Sequence, residues 1–201
     1  MPNQPTPQDW SARRAEDTVE DPLLSQEELL QRQLLTFGGG TFRNQTMIGT
    51  EWRAGMDLSG IRFSDCTLTG CVFSDCNLRG SSFVGSRIVT ANFVCADAEG
   101  ADFSRCIAPA CDFMAANLRN ARFVGATFVR TDFRGADLRG ANLTGAVLSH
   151  AKFEAAHLEG AILTDAILDG AEFAGATMPD GTPYRDPKAE LIVLPVAKDA
   201  A

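Results

Sequence analysis

The chain has 201 residues, of which 45% are hydrophobic and 22% charged, and its formal net charge is −8. This composition fits a single domain; the acidic balance argues against direct nucleic-acid binding, and no apolar run approaches the ~20 residues a membrane-spanning helix needs. The start of the chain lacks the charged, then hydrophobic character of a secretory signal, so the expected location is cytoplasmic.

Residues 1–22, "MPNQPTPQDWSARRAEDTVEDP", are proline-rich and polar and are expected to form a disordered N-terminal tail, with Trp10 as an incidental aromatic. Residues 23–36 are expected to form a short capping helix. In "SQEELLQRQLL" Ser25 and Glu28 stand at capping-box spacing ahead of Leu29, Leu30, Leu34 and Leu35, which predicts helix over about 25–35.

The pattern changes over residues 37–180. In "ADLRGANLTGAVLSHAKFEAAHLEGAILTDAILDGAEF" (136–173), Leu138, Leu143, Leu148, Phe153, Leu158, Leu163, Leu168 and Phe173 recur every five residues, each preceded by an alanine two positions earlier. A helix of 3.6 residues per turn would smear this period around its circumference, and a strand of period two would send successive leucines to opposite faces. The remaining solution is a solenoid in which each five-residue unit forms one side of a coil and the fifth residue turns the corner. The first and third positions then face inward, and the second and fourth face outward. Glycine is frequent at the fifth, as at Gly135, Gly140 and Gly145.

This A-(D/N)-L-x-x pattern resembles that of the pentapeptide-repeat proteins. The third position is filled from Leu58 to Met178 by Leu, Phe, Ile, Ala or Met without a gap. The resemblance implies an all-β solenoid, a right-handed quadrilateral β-helix with four units to a coil, here about seven coils behind a short N-terminal capping helix. Sorting the third positions every twenty residues supports four sides. One side reads Phe73, Phe93, Phe113, Phe133, Phe153, Phe173, and its neighbours begin at Leu58, Phe63 and Leu68. Upstream, Phe42, Met47 and Trp52 stand one residue out of frame, which predicts an irregular coil with a single-residue insertion and Trp52 at the head of the phenylalanine ladder. "TMPDGTPY" closes the repeats in a turn, and residues 181–201 form a C-terminal tail containing the apolar "ELIVLPV" (190–196).

The sequence offers no enzyme chemistry. Cys66, Cys71, Cys76, Cys106 and Cys111 occupy the small inward position as packing residues, not metal ligands, and Cys95 alone stands at a corner. His150 and His157 lack a nucleophile partner, and no phosphate-binding loop or zinc-spaced cluster is present. No catalytic residue, cofactor or metal is expected.

The family resemblance implies two functional classes. Some members are negatively charged DNA mimics that bind the type II topoisomerases DNA gyrase and topoisomerase IV and protect against quinolones or similar toxins. Others act as interaction scaffolds. Here the repeats are only mildly acidic, because half of the −8 lies in residues 1–36, and Arg119, Arg122, Arg130, Arg134 and Arg139 interrupt the negative field. The reading is therefore a non-catalytic, rigid protein-interaction scaffold, with topoisomerase protection as the alternative. The candidate contact is an outward apolar stripe of Val89, Ile107, Val129, Val147, Ile162 and Ile167, with Pro109 and Val124 beside it. Its occupant is an unidentified protein partner, a second copy in a homodimer, or the chain's own 190–196 segment folded back as a lid. The tethered segment is the favoured cover among the latter two.

Overall fold

The computed structural model describes residues 40–185, and within them the chain is built from short extended segments separated by corners. Five segments are regular strands: β1 (Thr41–Arg43), β2 (Thr46–Ile48), β3 (Arg62–Ser64), β4 (Thr67–Thr69) and β5 (Arg87–Val89). They pair in parallel, β1 with β3 in one sheet and β2–β4–β5 in another. Beyond them the same parallel pairing continues as single bridges, Asp57 to Asn77 to Asp97 on one side and Arg87 to Ile107 to Thr127 on another. From Asp57 onward each parallel bridge joins positions twenty residues apart, so four five-residue sides make one coil. The expected tail (1–22), capping helix (23–36) and apolar segment (190–196) lie outside the described residues.

The insertion has a definite place. Thr41 pairs with Arg62, Thr46 with Thr67 and Glu51 with Val72, all twenty-one residues apart, whereas Asp57 pairs with Asn77. The extra residue therefore lies between Glu51 and Asp57, in the corner where Met56 donates to the Arg53 carbonyl at 2.9 Å. Trp52 still reaches the ladder, stacking on Phe73 with ring centroids 4.2 Å apart.

Corners follow from backbone sterics. Every fifth residue from Gly55 to Gly175 has a positive φ, including Thr90 at 51°, Arg130 at 57° and His150 at 58°. Glycine takes this conformation without a Cβ penalty, while an L side chain costs roughly 1–2 kcal/mol. The outward second position supplies compensation that the sequence reading overlooked. Its Asp or Asn Oδ1 accepts the N–H of the fourth residue, as in Asp57 to Ser59 at 3.0 Å, Asn92 to Val94 at 2.9 Å and Asp112 to Met114 at 2.9 Å. This Asx turn is the local reason for Asp or Asn at that slot.

The core is two columns of rings flanked by aliphatic columns. Phe93, Phe113 and Phe133 stack at 4.4 and 5.3 Å, and Phe63, Phe83 and Phe103 stack at 5.1 and 4.8 Å in the adjacent column. Across the columns the rings meet edge to face, Phe103 on Phe113 at 5.5 Å and 90°. Both offset stacking and edge-to-face contact satisfy the ring quadrupole, so aromatic packing adds to area burial.

Candidate protein-contact surface

The outward positions form columns, and their chemistry differs from side to side. On the side whose inward column begins at Leu58, the second positions run Asp57, Asn77, Asp97, Asn117, Asp137, His157. Asparagine amides separate the carboxylates: Asn77 Nδ2 donates to Asp57 Oδ1 at 2.9 Å and Asn117 Nδ2 to Asp97 Oδ1 at 2.8 Å. Arginines take the remaining charge. Arg79 bridges Asp97, at 2.7 Å, and Glu99, while Arg139 grips Asp137 at 2.5 Å. The hydrogen bond from Arg139 holds the Asp137 carboxyl below its ordinary value of 3.8.

Compensation continues on two further sides. Asp132, although burial pushes it up, is held below its ordinary value by Arg134 at 2.6 Å. Arg122 lies 3.6 Å from Asp102. Such exposed pairs add little stability, but they flatten the negative potential along each column.

The side whose inward column begins at Leu68 is different. Its second positions pair in the order Thr67, Arg87, Ile107, Thr127, Val147, Ile167, and Val89, Pro109 and Val129 occupy successive fourth positions. Val89, Ile107, Pro109 and Val129 thus form one cluster. Val147 and Ile167 form a second on adjacent rungs, with Thr127 between it and Ile107. Ile162 belongs to the next side, at the end of a polar column that reads Asp102, Arg122, Asn142. Ile107, Ile162 and Ile167 are 48%, 46% and 47% exposed, and Val89, Val129 and Val147 are half-buried. The structure therefore divides the six candidate residues into two patches and a flanking residue. The division comes from Thr127, a polar rung between the apolar Ile107 and Val147.

The thiols lie inside the coil. Cys66, Cys71, Cys76, Cys106 and Cys111 are buried and unpaired, while Cys95 is exposed. Burial pushes Cys76 up to about 11, and Cys106 and Cys111 to about 12. Each buried S–H points at a carbonyl of the preceding coil, Cys106 at Phe83 O at 2.7 Å and Cys111 at Ile88 O at 3.3 Å. Ser86 and Thr131 use the same device, donating to Phe63 O at 3.1 Å and Ala108 O at 3.0 Å. At Ser86 and Thr131 the inward small position thus holds a satisfied polar atom, whereas the buried hydroxyl of Ser81 has no hydrogen-bond partner among the described residues. His150 covers the Gly170 corner, and His157 Nδ1 stands 3.9 Å from Glu159. Among the described residues no group of three or more His, Cys, Asp or Glu side chains could hold a metal ion, and no helix is long and apolar enough to cross a membrane.

The family model described as pentapeptide repeats matches in eight copies, over residues 57–93, 71–107, 111–149 and 146–179. Among solved structures, the chain is similar to a trypsin-treated variant of QnrB1, a plasmid-mediated fluoroquinolone resistance protein. The two are 20% identical over 76% of this chain and 86% of that one, with a TM-score of 0.43. It is also similar to HetL, a pentapeptide repeat protein involved in heterocyst differentiation regulation from the cyanobacterium Nostoc, at 23% identity over 80% and 100% of the two chains and a TM-score of 0.30. A pentapeptide repeat protein from the Arabidopsis thaliana thylakoid lumen is 28% identical over 70% and 73%, with a TM-score of 0.28. No curated protein matches the sequence.

Proposed function

The chain belongs to the pentapeptide-repeat family, and on that footing we propose that it is a non-catalytic, rigid scaffold that binds a protein partner through the Val89, Ile107, Pro109 and Val129 patch. The supporting observation is the contrast between sides. Five outward carboxylates on the charged sides, Asp97, Glu99, Asp102, Asp132 and Asp137, pair with Arg79, Arg122, Arg134 or Arg139, whereas Val89, Ile107, Pro109 and Val129 bring apolar side chains together. A DNA mimic works through an extended negative field competing for a phosphate-binding groove, and the paired arginines weaken that field. An apolar patch on a stiff frame works by desolvation, with little ordering cost on the scaffold's side. This reading takes residues 37–180 as a right-handed coil of about seven turns capped by residues 23–36, the arrangement implied by the family pattern.

The discriminating experiment is DNA supercoiling by purified gyrase, with and without a fluoroquinolone, over a titration of this protein. The scaffold reading expects unchanged supercoiling and unchanged drug sensitivity. Protection from the drug, or inhibition that fades with added salt, would instead identify a topoisomerase-binding mimic.

A further inference from the structure

The coil ends unevenly. Leu158 N–H donates to Thr177 O and Gly160 N–H to Pro179 O, both at 2.9 Å, so the Leu58 side is covered by another rung. Immediately afterwards the chain reverses. Met178 N–H donates to Thr182 O at 2.7 Å, Thr177 and Pro183 form an antiparallel bridge, and Tyr184 N–H donates to Ala176 O at 2.8 Å. The Tyr184 ring lies over Phe173 at 5.5 Å, closing the end of the phenylalanine column.

Among the described residues the other two sides have no further rung. In the preceding coil Leu143 donates to Ile162 O and Leu148 to Ile167 O, both at 2.8 Å. Among the described residues the corresponding N–H groups of Leu163 and Leu168 have no backbone acceptor, and the carbonyls of Ala161 and Ala166 receive no such donor. Core burial fails at the same place. Leu143, Ala146, Leu148 and Ala151 are fully buried, while Leu163, Ala166, Leu168 and Ala171 are half-exposed. An edge offering both a backbone ladder and apolar side chains is a site for one more strand.

We propose that the Leu191–Val196 segment of the same chain supplies that strand, lying across the Leu168 and Leu163 ends of the coil. The hairpin already sends the chain backward over the sides, from Met178 toward Phe173, and the next sides in that direction carry Leu168 and then Leu163. Four residues, and so five Cα-to-Cα steps, separate Arg185 from Glu190, a reach of roughly 17 Å, enough to pass from the Tyr184 position to the next side. The segment that follows, Leu-Ile-Val-Leu-Pro-Val, is the apolar run of an otherwise polar tail and is rich in strand-forming residues. It would also border the flanking Ile162 and Ile167 of the second apolar cluster, leaving the Val89 and Ile107 cluster for a partner. Tethering gives the segment an advantage over a second copy at ordinary protein concentrations.

Amide exchange and methyl contacts measured on the full-length protein by NMR test this. In the unsubstituted chain, the amides of Leu163, Asp165, Leu168 and Gly170 should be protected independently of protein concentration, and Leu163 or Leu168 methyls should show contacts to Leu191–Val196. The double substitution Ile192→Asp with Val193→Asp should speed exchange at those four amides by roughly a hundredfold, with the Phe113 amide unchanged. Absence of these methyl contacts, or fast exchange in the unsubstituted chain, overturns the proposal. Protection that rises with concentration together with a doubled mass gives the edge to a second copy and overturns it equally.

Discussion

Replacing Phe113 by Ala removes the ring from the middle of the longer aromatic column. Phe113 is fully buried, stacked on Phe93 at 4.4 Å and Phe133 at 5.3 Å and met edge-on by Phe103 at 5.5 Å and Phe128 at 5.9 Å. The stacked neighbours above and below are fixed by parallel pairing at the strand spacing, so neither can sink into the gap. Burial of an aromatic side chain removes about 150–250 Å² from water, and at about 25 cal/mol per Å² the ring is worth roughly 4–6 kcal/mol. Alanine retains a little of this, and measured truncations of this kind cost about 3–5 kcal/mol. Because each coil is stabilised chiefly by its neighbours, the hole should also uncouple the two halves and broaden the transition. Thermal unfolding followed by circular dichroism should show a fall in midpoint of roughly 6–20 °C for a chain of this length. The matched control is Arg119→Ala: Arg119 is exposed and 4.0 Å from Asp137, and its loss should cost no more than about 0.5 kcal/mol. Equal midpoint shifts for the two variants would refute the assignment of inward and outward positions.

Native protein should react with a maleimide at Cys95 alone, because burial pushes the Cys76, Cys106 and Cys111 thiols to about 11, 12 and 12, whereas denatured protein should label at all six cysteines; mass spectrometry of the labelled protein reads the difference. Asn117→Asp keeps the turn-forming oxygen but places a third carboxylate between Asp97 and Asp137, so stability should fall by about 1 kcal/mol at low salt and recover at high salt; loss independent of salt in urea unfolding would contradict the spacer role of asparagine. Thr90→Gly relieves a β-branched residue held at a φ of 51° and should raise stability by about 1 kcal/mol, and a fall in the unfolding midpoint would show that the corner is not strained.

Much of this fold is written in the spacing. The inward column from Phe73 to Phe173 and the insertion ahead of Leu58 are visible because one inward residue type repeats at a fixed interval and its phase shifts once. The small-position cysteines are legible for the same reason, since each stands where alanine stands elsewhere. Features that depend on hydrogen bonding rather than burial were harder to read. The outward Asp and Asn residues suggest charge spacing, yet the oxygens of Asp57, Asn92 and Asp112 also close the corners at Ser59, Val94 and Met114. Thr90 and Arg130 give no hint of a left-handed backbone; only the repeat frame places them there. The split of the candidate contact into two patches is hard to read from spacing, because it turns on one polar rung, Thr127, between Ile107 and Val147. "TMPDGTPY" signals a turn, but its direction, back over Phe173, is set by antiparallel pairing that spacing does not reveal.

The most direct test of the scaffold account is site-specific photo-crosslinking in the native cell, with a photoreactive residue placed at Ile107 in one variant and at Arg119 in another. The account predicts a discrete crosslinked protein from position 107, absent from position 119 and abolished by Val129→Glu without loss of the thermal transition. Crosslinks from position 119 to a topoisomerase subunit, with position 107 silent, would contradict it.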